Sequence, residues 1–398
     1  MSFFEQISLA TPDPIFGLIR AFQADPRPNK VNLTVGLYRN EELKTPVLEC
    51  VKKAEKEILH GEKTKEYLPL EGDKIFLDQA GALVFGETFW SSSQARVARI
   101  QAVGGTSALR TGGEFLSHEK IGEAIYLSDP TWANHKAIFP KAGLKVEYYP
   151  YYDRERHEFN FEAMCHALEK LPPKSIILLH ASCHNPTGAD LNLEQWKKLS
   201  GLFFAKRLIP FFDFAYQGLD RGVEQDAEAV RLFAKEGHEM LVAYSLSKSF
   251  SLYAERVGAL FAVGGSHKVA EHLNSKLVAM TRPNYSNPPL HGARIVATIL
   301  TSPQLREEWE KELGDMRARI IEMRTALAEK LITKSHKVDF SFLKNRAGLF
   351  TFSGLSGLQV ERLIKEHAIY MTADGRLNAA GLNHQNLDTV VNAILAVL

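Results

Sequence analysis

Short apolar runs rich in β-formers alternate along this chain with longer stretches in which apolar residues return every three or four positions. The runs at 123–127, 145–149, 175–182, 208–214, 241–244 and 259–263 predict strands. Several, such as Ile176 to Leu179, are apolar on both faces, the pattern of a strand covered by helices on each side of its sheet. Between them, 193–207 and 226–236 carry helical spacing with a polar face. The alternation predicts an α/β fold, a mostly parallel doubly wound sheet covered by helices.

Two regions break the rhythm. The N-terminal stretch carries Pro12, Pro14, Pro26 and Pro28 and the extended run Val31 to Leu37, and it reads as an arm and a linker strand. The C-terminal part begins with a long amphipathic helix over 302–332, where Trp309, Leu313, Met316, Ile320, Met323 and Leu327 form one stripe to be buried. A strand at 348–353, a helix at 357–367 and a segment at 370–380 follow. The expected division is 1–45 as N-terminal arm and part of a small domain, 46–305 as the large domain, and 306–398 as the small, α+β C-terminal domain. No internal repeat is evident.

Composition narrows the function classes. With 398 residues, 45% hydrophobic, 24% charged and a net charge of +1, the chain has the make-up of a globular protein and no electrostatic footprint for nucleic acid. No basic segment followed by an apolar run opens the sequence, and no stretch has the length to span a bilayer, so no membrane role and a cytoplasmic location are expected. Cys50, Cys165 and Cys183 are too few and too scattered for a disulfide framework, in keeping with a reducing compartment. His180, Cys183 and His184 are ligand types for zinc, but neighbours in an extended segment diverge and no fourth ligand is apparent, so no metal is expected.

The chemistry concentrates around Ser245-Leu-Ser-Lys-Ser-Phe-Ser251. It places Lys248 on a polar loop, where an amine can condense with an aldehyde, and sets Arg256 eight residues on as a possible anion partner. Ser245-Leu-Ser-Lys248 also fits the S-x-x-K pattern of serine acyl-transfer enzymes, but the companion Lys-Thr-Gly is absent and Ser128-Asp129 leads into Pro130. Open α/β sheets bind ligands beyond the carboxyl ends of their strands. There the chain offers Asp213 in an apolar run that demands a partner for it, Tyr216 beside it, and Asn185 in the turn Asn-Pro-Thr-Gly. Gly104-Gly105-Thr106-Ser107 can cradle a phosphate where a helix opens.

Taken together, Gly-Gly-Thr at 104–106, Asp-Pro-Thr-Trp at 129–132, Cys-His-Asn-Pro-Thr-Gly at 183–188, Asp-Phe-Ala-Tyr-Gln-Gly at 213–218, Ser-x-x-Lys followed by Glu-Arg-Val-Gly, Asn-Tyr-Ser-Asn-Pro-Pro at 284–289 and Gly-Arg-Leu-Asn at 375–378 resemble the aspartate and aromatic aminotransferases of PLP fold type I. The resemblance runs through essentially the whole chain in matching order. It implies pyridoxal 5′-phosphate (PLP) held by Lys248, with Asp213 on the ring nitrogen, Asn185 and Tyr216 on the phenolic oxygen, and Trp132 stacked on the ring. Gly104, Gly105, Thr106, Ser245 and Arg256 would hold the phosphate, joined by Tyr67 from a second subunit of a homodimer. Gly36, Trp132, Asn185 and Arg376 would surround the substrate, Arg376 on its α-carboxylate, while Arg282 from the neighbouring subunit would meet a side-chain carboxylate. The implied activity is ping-pong transfer of an amino group between aspartate or aromatic amino acids and 2-oxoglutarate. A PLP-dependent decarboxylase or lyase is the alternative within the same cofactor class. Thr34, Ser107, Ser249, Ser251 and Ala254 depart from the commonest aspartate-enzyme pattern, and none removes a catalytic group.

Overall fold

A computed structural model describes residues 3–9 and 14–398, without the side chains of 14–16. Pro12, in the expected arm, lies outside the described residues. Seven strands form the central sheet: β1 (Val97–Val103), β2 (Ala124–Asp129), β3 (Lys145–Pro150), β4 (Ile176–His180), β5 (Ile209–Phe214), β6 (Met240–Ser245) and β7 (Val257–Val263). Their spatial order is β1-β7-β6-β5-β4-β2-β3. All run parallel except β7, which is antiparallel to both β1 and β6.

Period-two alternation divides the side chains of the strands between two apolar clusters. Ile177, Leu179, Phe212, Phe214, Val242, Tyr244 and Phe261 face one cluster. Ile176, Leu178, Phe211, Leu241, Ala243 and Leu260 face the other. Because both faces are buried, the strands read as continuous apolar runs. β1 escaped the sequence reading because Arg99 and Gln101 interrupt its apolar run. Arg99 pairs with Asp78, and Gln101 accepts from the Asp73 amide and donates to the Pro289 carbonyl.

The long helix is observed as Pro303–Lys334. Its stripe serves two cores in succession: Trp309, Leu313, Met316 and Ile320 enter the first cluster. Met323, Leu327, Ala328 and Leu331 enter a third, built with Val31, Leu33, Leu363, Ile369, Leu377 and Val390. Around this third cluster, Val31–Asn32 pairs in parallel with Ile369–Tyr370, and Phe350–Phe352 pairs antiparallel with Arg376–Asn378. The proline-rich N-terminal stretch holds a helix, Pro14–Ala24, where an arm was expected. Proline in a first helical turn costs little, since its missing N–H would have no partner there. Only 31–32 of the expected extended run pairs as a strand.

Candidate active site

The register of the sheet collects the chemistry at one edge. Val257, the first residue of β7, sits opposite Val103, the last of β1, and Gly258 sits opposite Ser245, the last of β6. Asp213, near the end of β5, lies between His180 and Ala243 on its neighbours. A cavity of about 400 Å³ opens above this edge, lined by Gly36, Gly105, Thr106, Trp132, Asn185, Asp213, Tyr216, Ser245, Lys248 and Arg256.

One end of the cavity is built for an anion. β1 turns directly into the helix Gly104–His118, whose first amides face the cavity edge. Gly104 has φ +74°, and a Cβ there would lie 2.3 Å from Arg256 Nη2, so the backbone passes against the guanidinium with no room for a side chain. A Cβ at Gly105 would meet Ser245 Cβ at 2.9 Å. Arg256 is held in place by donating to the Tyr253 carbonyl at 2.9 Å and, more weakly, to Ser247 Oγ at 3.5 Å. Helix amides, hydroxyls and a guanidinium therefore converge, the combination a phosphate needs.

At the far end Asp213 is buried, and its Oδ2 lies 3.1 Å from His135 Nε2. His135 Nδ1 is bound in turn to Thr131 Oγ1 at 2.9 Å. His180 Nε2 lies 4.0 Å from the same carboxylate oxygen. Burial works to raise the Asp213 pKa, but the His135 hydrogen bond and the nearby charges outweigh it and hold the group below the usual carboxylate range. Burial pushes His180 down to about 3, so it stays neutral. His135, His180 and Asp213 bring three ligand-type atoms within 4.8 Å of one another. With both His135 nitrogens occupied, the arrangement is a hydrogen-bonded chain that orients the carboxylate. Sequence reasoning missed His135, which follows Trp132 by three residues with nothing to mark Asp213 as its partner.

Lys248 projects into the cavity, its Nζ 5.1 Å from the centre of the Tyr216 ring. Burial lowers its pKa, Asp213 opposes that shift and Arg256 adds to it, so the neutral amine is more accessible than on a free lysine. Among the described residues no hydrogen bond joins Lys248 to Ser245, whose Oγ instead donates to Ser247 Oγ at 3.3 Å. The activated serine of the S-x-x-K reading is not formed. Asn185 bridges two neighbours: its Nδ2 donates to Tyr216 Oη at 3.4 Å, and its Oδ1 accepts from Arg376 Nη1 at 3.2 Å. Arg376 lies in an adjoining cavity of about 200 Å³ that shares Asn185. It is buried, donates to the Thr34 carbonyl at 3.0 Å, and leaves Nε without a partner among the described residues. Burial lowers its pKa.

The candidate zinc residues have other tasks. The His184 ring stacks on Tyr151 at 3.9 Å and is bonded to Ser128 and Thr187 through its two nitrogens. Cys183 packs beneath Gly348. Tyr67 and Arg282 stand outside the cavity of this chain: Tyr67 is 92% exposed, and Arg282, also exposed, donates to Ser286 Oγ at 2.7 Å.

PLP fits these donors handle by handle. Its phosphate matches the Gly104–Arg256 cradle, its ring nitrogen matches the His135-oriented carboxylate, and its aldehyde matches the amine of Lys248 between them.

Comparison with known proteins agrees. The family described as aminotransferase class I and II matches residues 28–394. The aspartate aminotransferase of Pseudomonas aeruginosa is 46% identical over 398 residues, all of both chains. The aromatic-amino-acid aminotransferase of the same organism is 41% identical, over 100% of this chain and 99% of that one. The crystal structure of the aromatic-amino-acid aminotransferase of Burkholderia pseudomallei, covalently bound to pyridoxal phosphate, superposes with a TM-score of 0.97 at 47% identity, over 100% of both chains.

Proposed function

This chain belongs to the class I and II aminotransferases, and from that premise we propose that it moves amino groups between aspartate or aromatic amino acids and 2-oxoglutarate, working as a cytoplasmic homodimer. It is a PLP-dependent transaminase. The observation that carries the assignment of roles is the convergence of an oriented carboxylate, an amine of lowered pKa and an anion cradle on one cavity.

Bound there, the cofactor supplies an electron sink for the substrate α-carbon. Gly104, Gly105, Thr106, Ser245 and Arg256 would hold its phosphate. The Asp213 carboxylate would keep the ring nitrogen protonated, and Asn185 and Tyr216 would donate to the phenolic oxygen. Trp132, in the cavity wall, would cover the ring. The Arg376 guanidinium, with its unpartnered Nε, takes the substrate α-carboxylate as a two-pronged donor, which a lysine could not do. Lys248 Nζ, which lines the same cavity, would take the proton from the substrate α-carbon and serve as the donor that returns it. Because the amino group stays behind when the first oxo acid leaves, the two substrates bind in turn, giving ping-pong kinetics.

The exposure of Tyr67 and Arg282 supports a site completed across a dimer. Tyr67 would reach the neighbouring phosphate, and Arg282 a carboxylate on the substrate side chain. The separate apolar cluster around 31–33 and 323–397 supports a smaller domain drawn from 1–45 and 306–398 beside a large one, 46–305, with the first half of the long helix, Trp309 to Ile320, packed on the large domain's cluster. Among the described residues no helix is long and apolar enough to cross a membrane.

The test is a side-by-side assay of aspartate, phenylalanine and tyrosine with 2-oxoglutarate as acceptor. Turnover of aspartate and at least one aromatic supports the broad range, and aspartate alone reduces the proposal to an aspartate enzyme. Release of carbon dioxide or ammonia without an oxo acid would refute it in favour of a decarboxylase or lyase.

A further inference from the structure

We propose that Asn378 is a positioning residue for substrate: its carboxamide fastens the wall of the cavity at 35–37 to the strand that carries Arg376. The inference rests on the reading of Arg376 as the α-carboxylate site and adds the device that holds this site in register.

The segment 34–39 needs such a device. Among the described residues its backbone makes no hydrogen bond to other backbone. Side chains hold it instead: near its C-terminal end the Tyr38 amide donates to Tyr253 Oη at 2.8 Å and the Tyr38 carbonyl accepts from Thr45 Oγ1 at 2.9 Å, and the other carbonyls are taken as follows. Arg376 donates to Thr34 O at 3.0 Å, Asn378 to Val35 O at 2.6 Å and to Leu37 O at 2.8 Å, and Arg319 to Arg39 O at 2.7 Å. Asn378 spends both amide hydrogens on the two carbonyls that flank Gly36, and its Oδ1 accepts from the Ala380 amide at 2.9 Å. Buried and fully paired, it has one available orientation.

Arg376 and Asn378 lie two residues apart on one short strand, so their side chains share a face. Asn378 is in register with Phe350 on the partner strand. The Phe350 ring closes the assembly: it lies 4.3 Å from the Arg376 guanidinium, and a Cβ on Gly36 would come within 2.8 Å of it. Gly36, Leu37, Phe350 and Arg376 therefore form one unit, and Asn378 is the group that pins its backbone on either side of Gly36. Without it, Gly36 and Leu37 are released from Arg376 while the cofactor-facing groups on the main sheet keep their own supports.

Two variants test this. Asn378→Ala removes the carboxamide. Asn378→Asp keeps its size and its acceptor for Ala380 but offers no donor. Succinate, titrated calorimetrically into the PLP-loaded protein, is expected to bind about tenfold more weakly to both, with the KM for aspartate rising in parallel and kcat changing less than about threefold. PLP affinity, read by titration of the cofactor-stripped protein, is expected to stay within about a factor of two. Asn378→Asp carries the test if Asn378→Ala does not fold. An unchanged succinate affinity, an equal loss of PLP affinity, or failure of both variants to fold overturns the proposal. Arg376→Ala run alongside separates the two readings: unchanged succinate binding there overturns the carboxylate assignment itself, whereas loss there with none at Asn378 overturns only the positioning role.

Discussion

Gly104→Ala puts the anion cradle under direct test. At φ +74° an alanine sits in the left-handed region, which costs roughly 1–2 kcal/mol. The added Cβ would stand 2.3 Å from Arg256 Nη2 and 2.8 Å from its Cζ. Ordinary contact is about 3.5 Å, so the guanidinium must withdraw by about 1 Å. Arg256 cannot do so and keep both its bond to the Tyr253 carbonyl and its aim into the cavity. A hydrogen bond to a charged group is worth about 1.5–3 kcal/mol, so losing this contact should weaken PLP binding by roughly tenfold to a hundredfold. The strain itself should appear in the cofactor-free protein as a melting point lower by a few degrees. The assay is titration of stripped protein with PLP, followed by visible absorbance, beside a melting curve for each form. A PLP affinity within about a factor of two of the parent would refute the assignment of this turn to the phosphate.

Three further outcomes are expected. Trp309→Phe loses the indole bond to the Ser249 carbonyl (2.8 Å) and part of the stack on Phe250 (4.4 Å), both of which anchor the lysine loop. It should cost about 1–3 kcal/mol in denaturant unfolding, and an unchanged midpoint would show that the loop is held elsewhere. His238 is buried between Phe204 and Phe233 and bonded to Ser200, and burial pushes it down to about 4. Its folded pKa lies below its unfolded one, so the neutral form is favoured and stability declines as pH falls from about 6.5 to about 4, by up to ~3 kcal/mol. His238→Gln should flatten that limb in melting curves. Asp190, Asp220 and Asp226, raised to about 6 first of all by burial, titrate in the opposite sense, so the difference between parent and variant is the quantity to read. Finally, Lys248→Ala should have no turnover and Arg282→Ala little with dicarboxylates. Mixing the two under conditions that exchange subunits should restore dicarboxylate activity if Arg282 serves the neighbouring site, and no recovery would place it in its own.

Two of the departures from the common pattern, Thr34 and Ser251, find local reasons. Thr34 is buried, and its amide and hydroxyl both bind Asn32 Oδ1, at 3.0 and 2.6 Å, while its carbonyl serves Arg376. Ser251, at φ +54°, donates to the Pro46 carbonyl. Nothing in the structure explains Ser249, whose hydroxyl is buried without a partner among the described residues.

What is written locally could be read from the order of the residues alone. Apolar runs at 176–179 and 209–214 are strands because both faces of the sheet must be buried, and the stripe from Trp309 to Leu327 is a helix because its spacing is helical. Lys248, Asp213 and Arg256 stood out because a charge in an apolar or turn-rich setting demands a reason. Which of these groups meet depends on packing across the whole fold. His135 and Asp213 are 78 residues apart, and the contact exists because the helix His135–Lys141, after the turn that follows β2, starts beside the end of β5. Asn378 and the carbonyls of Val35 and Leu37 are more than 340 residues apart. Periodicity reports the face of an element, whereas a site depends on strand order and register, which are set by how all the elements pack at once.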